Sequence, residues 1–135
     1  MASRTRFATT AYAPEQVTLC GHFAVGAAGA VSTTATLAQG LNPGEKLTGA
    51  AVTKTAATDG RYTITFSVPF AQMPSVSCNI QGPATAAFPT ATGSDPQVRG
   101  TTAELFYVQC KRPDTQADLD AASGSVIHWT ATGWL

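Results

Sequence analysis

Arg61-Tyr-Thr-Ile-Thr-Phe-Ser-Val68 alternates without a break, with Tyr62, Ile64, Phe66 and Val68 on one side and Arg61, Thr63, Thr65 and Ser67 on the other. Successive side chains of an extended chain point to opposite faces, so this is the pattern of a half-buried strand. Just before it, Ala51-Val52-Thr53-Lys54-Thr55 runs into Thr58-Asp59-Gly60. An Asp-Gly pair favours a tight reversal, and the two segments together predict a hairpin.

The same period recurs on either side. In Val17-Thr-Leu-Cys-Gly-His-Phe-Ala-Val25, the residues Val17, Leu19, Phe23 and Val25 alternate with Thr18, Cys20, His22 and Ala24. Residues 26–40, rich in Ala, Gly and Thr, are consistent with either a weak strand or an ordered loop, and Asn42-Pro-Gly44 is a turn signal. Pro69 and Pro74 bracket a short crossing segment. Val76, Cys78 and Ile80 alternate in a further strand that Gln81-Gly82-Pro83 ends. Residues 83–101 read as a long polar connection with three prolines, and a loop of that length is usually functional or an interaction arm. Thr102 to Cys110 is apolar on both faces, as a central strand is, with Phe106, Val108 and Cys110 opposite Leu105 and Tyr107. Residues 112–124 read as a loop holding one helical turn near Gln116–Ala121. The last strand, Ser125 to Thr132, sets Ile127, Trp129 and Ala131 against Val126, His128 and Thr130.

Short strands with Gly/Pro punctuation and no long amphipathic helix predict an all-β fold, an antiparallel β-sandwich of jelly-roll or Greek-key type. Its core face is expected at Tyr62, Ile64, Phe66 and Val68, joined by Val76, Ile80, Phe106 and Val108. Residues 1–16 have no strand or helix period and are expected to be an extended N-terminal arm. Residues 17–135 form one β-sandwich domain, a length that folds around a single core.

Composition narrows the function. Only 12% of the 135 residues are charged, and eight basic residues balance eight acidic ones. Such a chain has no electrostatic footprint for nucleic acid and no polybasic membrane patch. No apolar run approaches the roughly 20 residues of a spanning helix. Residues 4–14 lack the continuous apolar core of a signal peptide, so the mature protein is expected to begin near Met1. The odd number of cysteines, Cys20, Cys78 and Cys110, points to free thiols in a reducing compartment.

Chemical motifs are weak throughout. Cys20-Gly-His22 with Cys110 and His128 would make a Cys2His2 set if their strands were neighbours, but structural zinc sites come from closer spacings, and packing is the simpler role. There is no G-x-S-x-G, and the serines of Gly93-Ser-Asp95 and Ser123-Gly-Ser125 suit turns. Asp114, Asp118 and Asp120 could offer oxygens to a hard cation, yet their spacing is not that of an EF-hand, and capping or solvation explains them. Gly40-Leu-Asn-Pro-Gly-Glu-Lys46 lacks the context of a phosphate loop and reads as a turn. The expectation is therefore no catalytic, metal or cofactor site and no enzyme. Trp129 reads as core. Trp134 and Leu135, at the chain end, read either as an exposed docking tip or as a segment pairing back onto its own sheet.

Three blocks carry a resemblance. They are Val17-Thr-Leu-Cys-Gly-His-Phe-Ala-Val-Gly26; Val52-Thr-Lys-Thr55 leading into Gly60-Arg-Tyr-Thr-Ile-Thr-Phe66; and Phe106-Tyr-Val-Gln-Cys110 followed by Ala117-Asp-Leu-Asp-Ala-Ala122 and Val126-Ile-His-Trp129. In their order, spanning most of residues 17–132, the chain resembles jelly-roll capsid decoration or cement proteins of tailed bacteriophages. The resemblance implies a structural virion protein on the capsid surface, made and assembled in the host cytoplasm. It would bridge subunits of a major capsid protein and self-associate as a dimer or trimer. Contacts are then expected from Arg4, Arg6, Phe7 and Tyr12 in the arm, Phe88 and Arg99 in the long connection, and Trp134 and Leu135. The closing Val126-Ile-His-Trp-Thr-Ala-Thr-Gly133 is similar to the last strand of H-type lectin domains. That implies the alternative of a carbohydrate-binding β-sandwich of a phage fibre or tail, with Tyr107, Trp134 and Asp114 to Asp120 as its candidate sugar contacts.

Overall fold

The structure is a computed structural model that describes residues 16–39, 50–55, 60–82, 95–112 and 115–134. Eight strands form two antiparallel sheets. They are β1 (Gln16–Val25), β2 (Val31–Gln39), β3 (Ala50–Lys54), β4 (Arg61–Phe66), β5 (Ser75–Gln81), β6 (Asp95–Arg99), β7 (Leu105–Lys111) and β8 (Val126–Trp134). Sheet A has the order β2-β1-β8-β5 and sheet B the order β3-β4-β7-β6. The expected β-sandwich is what forms. β5 and β6 lie beside one another across the gap between the sheets, where the Cys78 thiol donates to the Pro96 carbonyl at 3.6 Å. Round the sandwich the order is thus β8-β5-β6-β7, three successive strands with the fourth returning beside the first. That is a Greek key.

The core lies where the alternation puts it. Val17, Leu19, Phe23 and Val25 of β1 are buried, as are Ile127, Trp129 and Ala131 of β8. From sheet B come Tyr62, Ile64 and Phe66 of β4 and Phe106, Val108 and Cys110 of β7. Tyr62 packs on Phe23 with ring centroids 4.9 Å apart, and Trp129 meets Phe106 edge-on at 5.5 Å. Both aromatic pairs cross from one sheet to the other. The hairpin of β3 and β4 forms with Val52 opposite Ile64, and β7 is an interior strand of its sheet, as its two apolar faces require.

Gly21 shows how tightly the sheets close. It is the register partner of Trp129, and a methyl group there would overlap the indole at Cζ2 and Cε2. The glycine leaves room for the largest side chain of the core to lie flat on β1.

Several expectations need correction. Val68 is 40% exposed, because β4 ends at Phe66 and the chain turns into the crossing segment. Phe70 fills the vacated place, buried edge-on against Phe66 at 4.9 Å. Val76 and Ile80 pack against the core only half-buried, since β5 is an edge strand. The connection 83–101 contains β6, whose Pro96 is tolerated because β6 too is an edge strand. No helical turn forms at Gln116–Ala121. Gln116 adopts φ 57°, and Asp118 instead bridges to Lys111, extending the β7 ladder. Residues 31–39, within the stretch left open between strand and loop, are strand, preceded by a single 3-10 turn at Ala27–Gly29. Finally, Gln16 belongs to β1, paired with Trp134, so the expected arm would end at residue 15.

Candidate functional site

Charge divides the two sheets. Lys54, Arg61, Asp95, Arg99 and Lys111 all lie in the strands of sheet B. The four strands of sheet A contain no Asp, Glu, Lys or Arg. Its outward positions hold mostly Thr, Ser, Ala, Asn and Gln, with Cys20, Val126 and Trp134 among them and two histidines at the centre. One row across the sheet reads Ala35, His22, His128, Asn79, in β2, β1, β8 and β5. The next row passes through Cys20, Thr130 and Ser77. A third begins with Thr18 and Thr132, whose hydroxyls hydrogen-bond at 3.0 Å.

His22 and His128 are both exposed, register partners with ring centroids 5.6 Å apart. The Gln81 side-chain oxygen lies 3.3 Å from His128 Nε2. This contact holds the His128 ring in its orientation from the Nε2 side. Cys20 shares the face, but Cys110 is buried in sheet B, so the Cys2His2 set suggested by residue type is not assembled. Among the described residues no group of three or more His, Cys, Asp or Glu is placed to hold a metal ion.

The outer face of sheet B differs. Arg61 stacks over the Tyr107 ring at 5.9 Å and donates to the Gln109 side chain at 3.2 Å. Arg99, exposed at the end of β6, donates to Gln97 Oε1 at 2.6 Å. Its charges are thus engaged within the face.

A polar latch closes the end of the sandwich where β1 and β3 finish. Asp120 accepts from the Gly60 amide at 2.6 Å and from Lys54 Nζ at 2.7 Å. Lys54 also donates to the Ala28 carbonyl at 2.7 Å, and the buried Tyr62 hydroxyl donates to the Gly29 carbonyl at 3.0 Å. Gly29 has φ 71° and lies against the Asp120 carboxylate, a conformation and a contact that together exclude a side chain. Burial pushes the Asp120 pKa up, but the hydrogen bonds from Lys54 and Gly60 and the Lys54 charge outweigh it and hold it below the ordinary value. Burial raises the Tyr62 pKa strongly, aided by the nearby Cys110 and Asp120. These groups are held for structure: each polar atom of the latch meets a partner across the sandwich end.

At the opposite end stand the three large exposed apolar side chains of the described residues, Val68, Met73 and Trp134. Trp134 pairs back onto its own sheet and is nevertheless exposed. Its backbone pairs with Gln16 and accepts from the Ala71 amide at 2.6 Å, while its side chain stays 44% exposed.

Of the expected contact residues, Arg99 and Trp134 are placed and lie on different sheets; Arg4, Arg6, Phe7, Tyr12, Phe88 and Leu135 fall outside the described residues. The candidate sugar contacts do not converge. Tyr107 is on the outer face of sheet B, Trp134 at one end, and Asp118 and Asp120 toward the other. Asp114 lies outside the described residues. Sequence reading grouped His22 with His128 only within a Cys2His2 set, and missed both the pair standing by itself and the charge-free sheet. Each histidine falls on the polar side of its strand, a legible signal. What is not legible is that β1 and β8, at opposite ends of the chain, are neighbours.

Fold and surface define a class, the two-sheet antiparallel β-sandwich with one sheet free of charge. The chain matches no protein-family model, no curated protein and no solved structure.

Proposed function

We propose that this protein is a structural component that works by associating with other chains, as a capsid decoration or cement protein of a bacteriophage does, through the outer face of sheet A. The observation that carries this reading is the absence of Asp, Glu, Lys and Arg from all four strands of that sheet. A face that meets only water gains nothing by excluding charge, whereas a buried charge costs several kcal/mol unless it is paired. Interface centres are accordingly depleted in charged residues. A second copy meets no like-charge repulsion on such a face, which suits self-association as a dimer or trimer. Contact with a major capsid protein, repeated over a shell, turns weak binding into firm attachment through multivalency. The resemblance of the order of sequence blocks over residues 17–132 to phage decoration proteins supports a place on the virion surface.

The test compares wild type with Ala35→Lys/Ser77→Lys, two exposed positions on the edge strands of sheet A. Wild type should sediment as an oligomer and pellet with shells of the cognate major capsid protein. The double variant should lose both properties at an unchanged melting temperature. A wild-type chain that stays monomeric and leaves the shells bare overturns the reading.

A further inference from the structure

We propose that His22 and His128 form a two-imidazole binding site for a divalent late transition metal on the outer face of sheet A. The argument is geometric and independent of any role in a capsid. The two residues face each other in the β1–β8 register, so the backbone holds their Cα atoms at the spacing of an antiparallel pair. A metal bound at 2.0–2.1 Å from each ring nitrogen lies about 3.2 Å from each ring centroid, which at a tetrahedral angle sets the centroids about 5.2 Å apart. The observed separation is 5.6 Å, within reach of a small side-chain rotation. A linear arrangement would instead need about 6.4 Å.

The surroundings suit a metal ligand. Both rings are exposed, and the other neighbours in their row are Ala35 and Asn79, neither of which carries a charge. The Gln81 side chain meets His128 Nε2 at 3.3 Å, which orients the ring and leaves Nδ1 as the nitrogen to face a metal. Ligating histidines commonly hold their second nitrogen in this way, which fixes the tautomer. Imidazole without carboxylate or thiolate selects Zn(II), Ni(II) or Cu(II) over magnesium or calcium. No third His, Cys, Asp or Glu among the described residues joins the pair. The metal therefore keeps positions open for water or for a donor from another molecule.

Titration of tag-free full-length protein with Ni(II) in a non-chelating buffer, followed by calorimetry, tests the site. Saturable binding is expected. His22→Ala and His128→Ala should each weaken it by about 100-fold, since either change removes the chelate. Gln81→Ala should weaken it by roughly tenfold through loss of ring orientation. Cys20→Ser should leave it unchanged, which separates the pair from the thiol on the same face. His22→Gln serves as a second variant should His22→Ala fail to fold. Absence of saturable binding to wild type, or binding undiminished in the folded histidine variants, overturns the proposal.

Discussion

Phe66 and Thr65 are adjacent in sequence and opposite in consequence. Phe66 is 4% exposed and touches Phe70, Phe106 and Trp129, while Thr65 points out of sheet B into solvent. Truncation of a buried phenylalanine costs about 3–5 kcal/mol, a large part of a domain's stability. Phe66→Ala should thus melt far below wild type or fail to accumulate in soluble form, and Thr65→Ala should shift stability by only about 0.5 kcal/mol. Thermal unfolding of the two variants side by side measures both burial and register. Gly21 is the second test at this scale. Gly21→Ala forces Trp129 off its seat and should cost about 2–3 kcal/mol, as overpacking does. Adding Trp129→Phe should recover part of that loss, and a double-mutant cycle reads the coupling. The alternation of Tyr62, Ile64 and Phe66 was legible because a strand's period is local. The fit of Gly21 to Trp129 was not, because one glycine among apolar residues carries no mark of its partner 108 positions away.

Among the elements, the regular strands were legible and the irregular joints were not. β2 shows little in the sequence because Val-Ser-Thr-Thr-Ala-Thr has few large apolar side chains to mark a period, and an edge strand exposed from Ser32 to Ala35 needs few. β6 reads as loop from sequence because its proline argues against a strand, an argument that holds only away from an edge. The latch on Asp120 was legible only as a cluster of acids; its partners Lys54 and Gly60 come from the β3–β4 hairpin. That latch makes a prediction about acid. With its folded pKa held below the unfolded value, Asp120 contributes stability above the ordinary carboxylate range. The contribution is lost as pH falls from there through the folded pKa. Asp120→Asn should cost about 1–2 kcal/mol at neutral pH, the lower part of the range for charged hydrogen bonds because each side chain keeps some contact with solvent. The difference between variant and wild type should shrink as pH drops below about 4. Denaturant titrations at neutral and acid pH measure it; a difference that stays constant would show that the charge contributes nothing.

For the whole molecule, the separation of charge between the sheets organises the surface into two unlike sides. It could have been counted strand by strand from the sequence, but the sum means nothing until β1, β2, β5 and β8 are known to share a sheet. The two-layer class was legible from short strands and turn residues, while sheet membership depended on contacts between distant parts of the chain. On the proposed function, residues 1–15 act in assembly and not in the domain's own fold. Deleting them keeps Gln16 and its pairing to Trp134. The shortened chain should melt within a few degrees of wild type and bind shells more weakly, as differential scanning calorimetry and co-sedimentation would show. A collapse of the isolated domain on deletion would place those residues in the core.

The placement of the two tryptophans gives the protein its own optical probes. Trp129 is sealed between the sheets with its indole nitrogen unpaired, and Trp134 stands in solvent at the far end of the same strand. Their fluorescence should divide into a blue-shifted component that quenchers cannot reach and a red-shifted component that iodide or acrylamide quenches readily. The first reports melting of the core. The second responds to anything that covers the Val68–Met73–Trp134 end while the core stays closed. Unfolding and any contact that covers that end can therefore be followed separately in one cuvette, without a label.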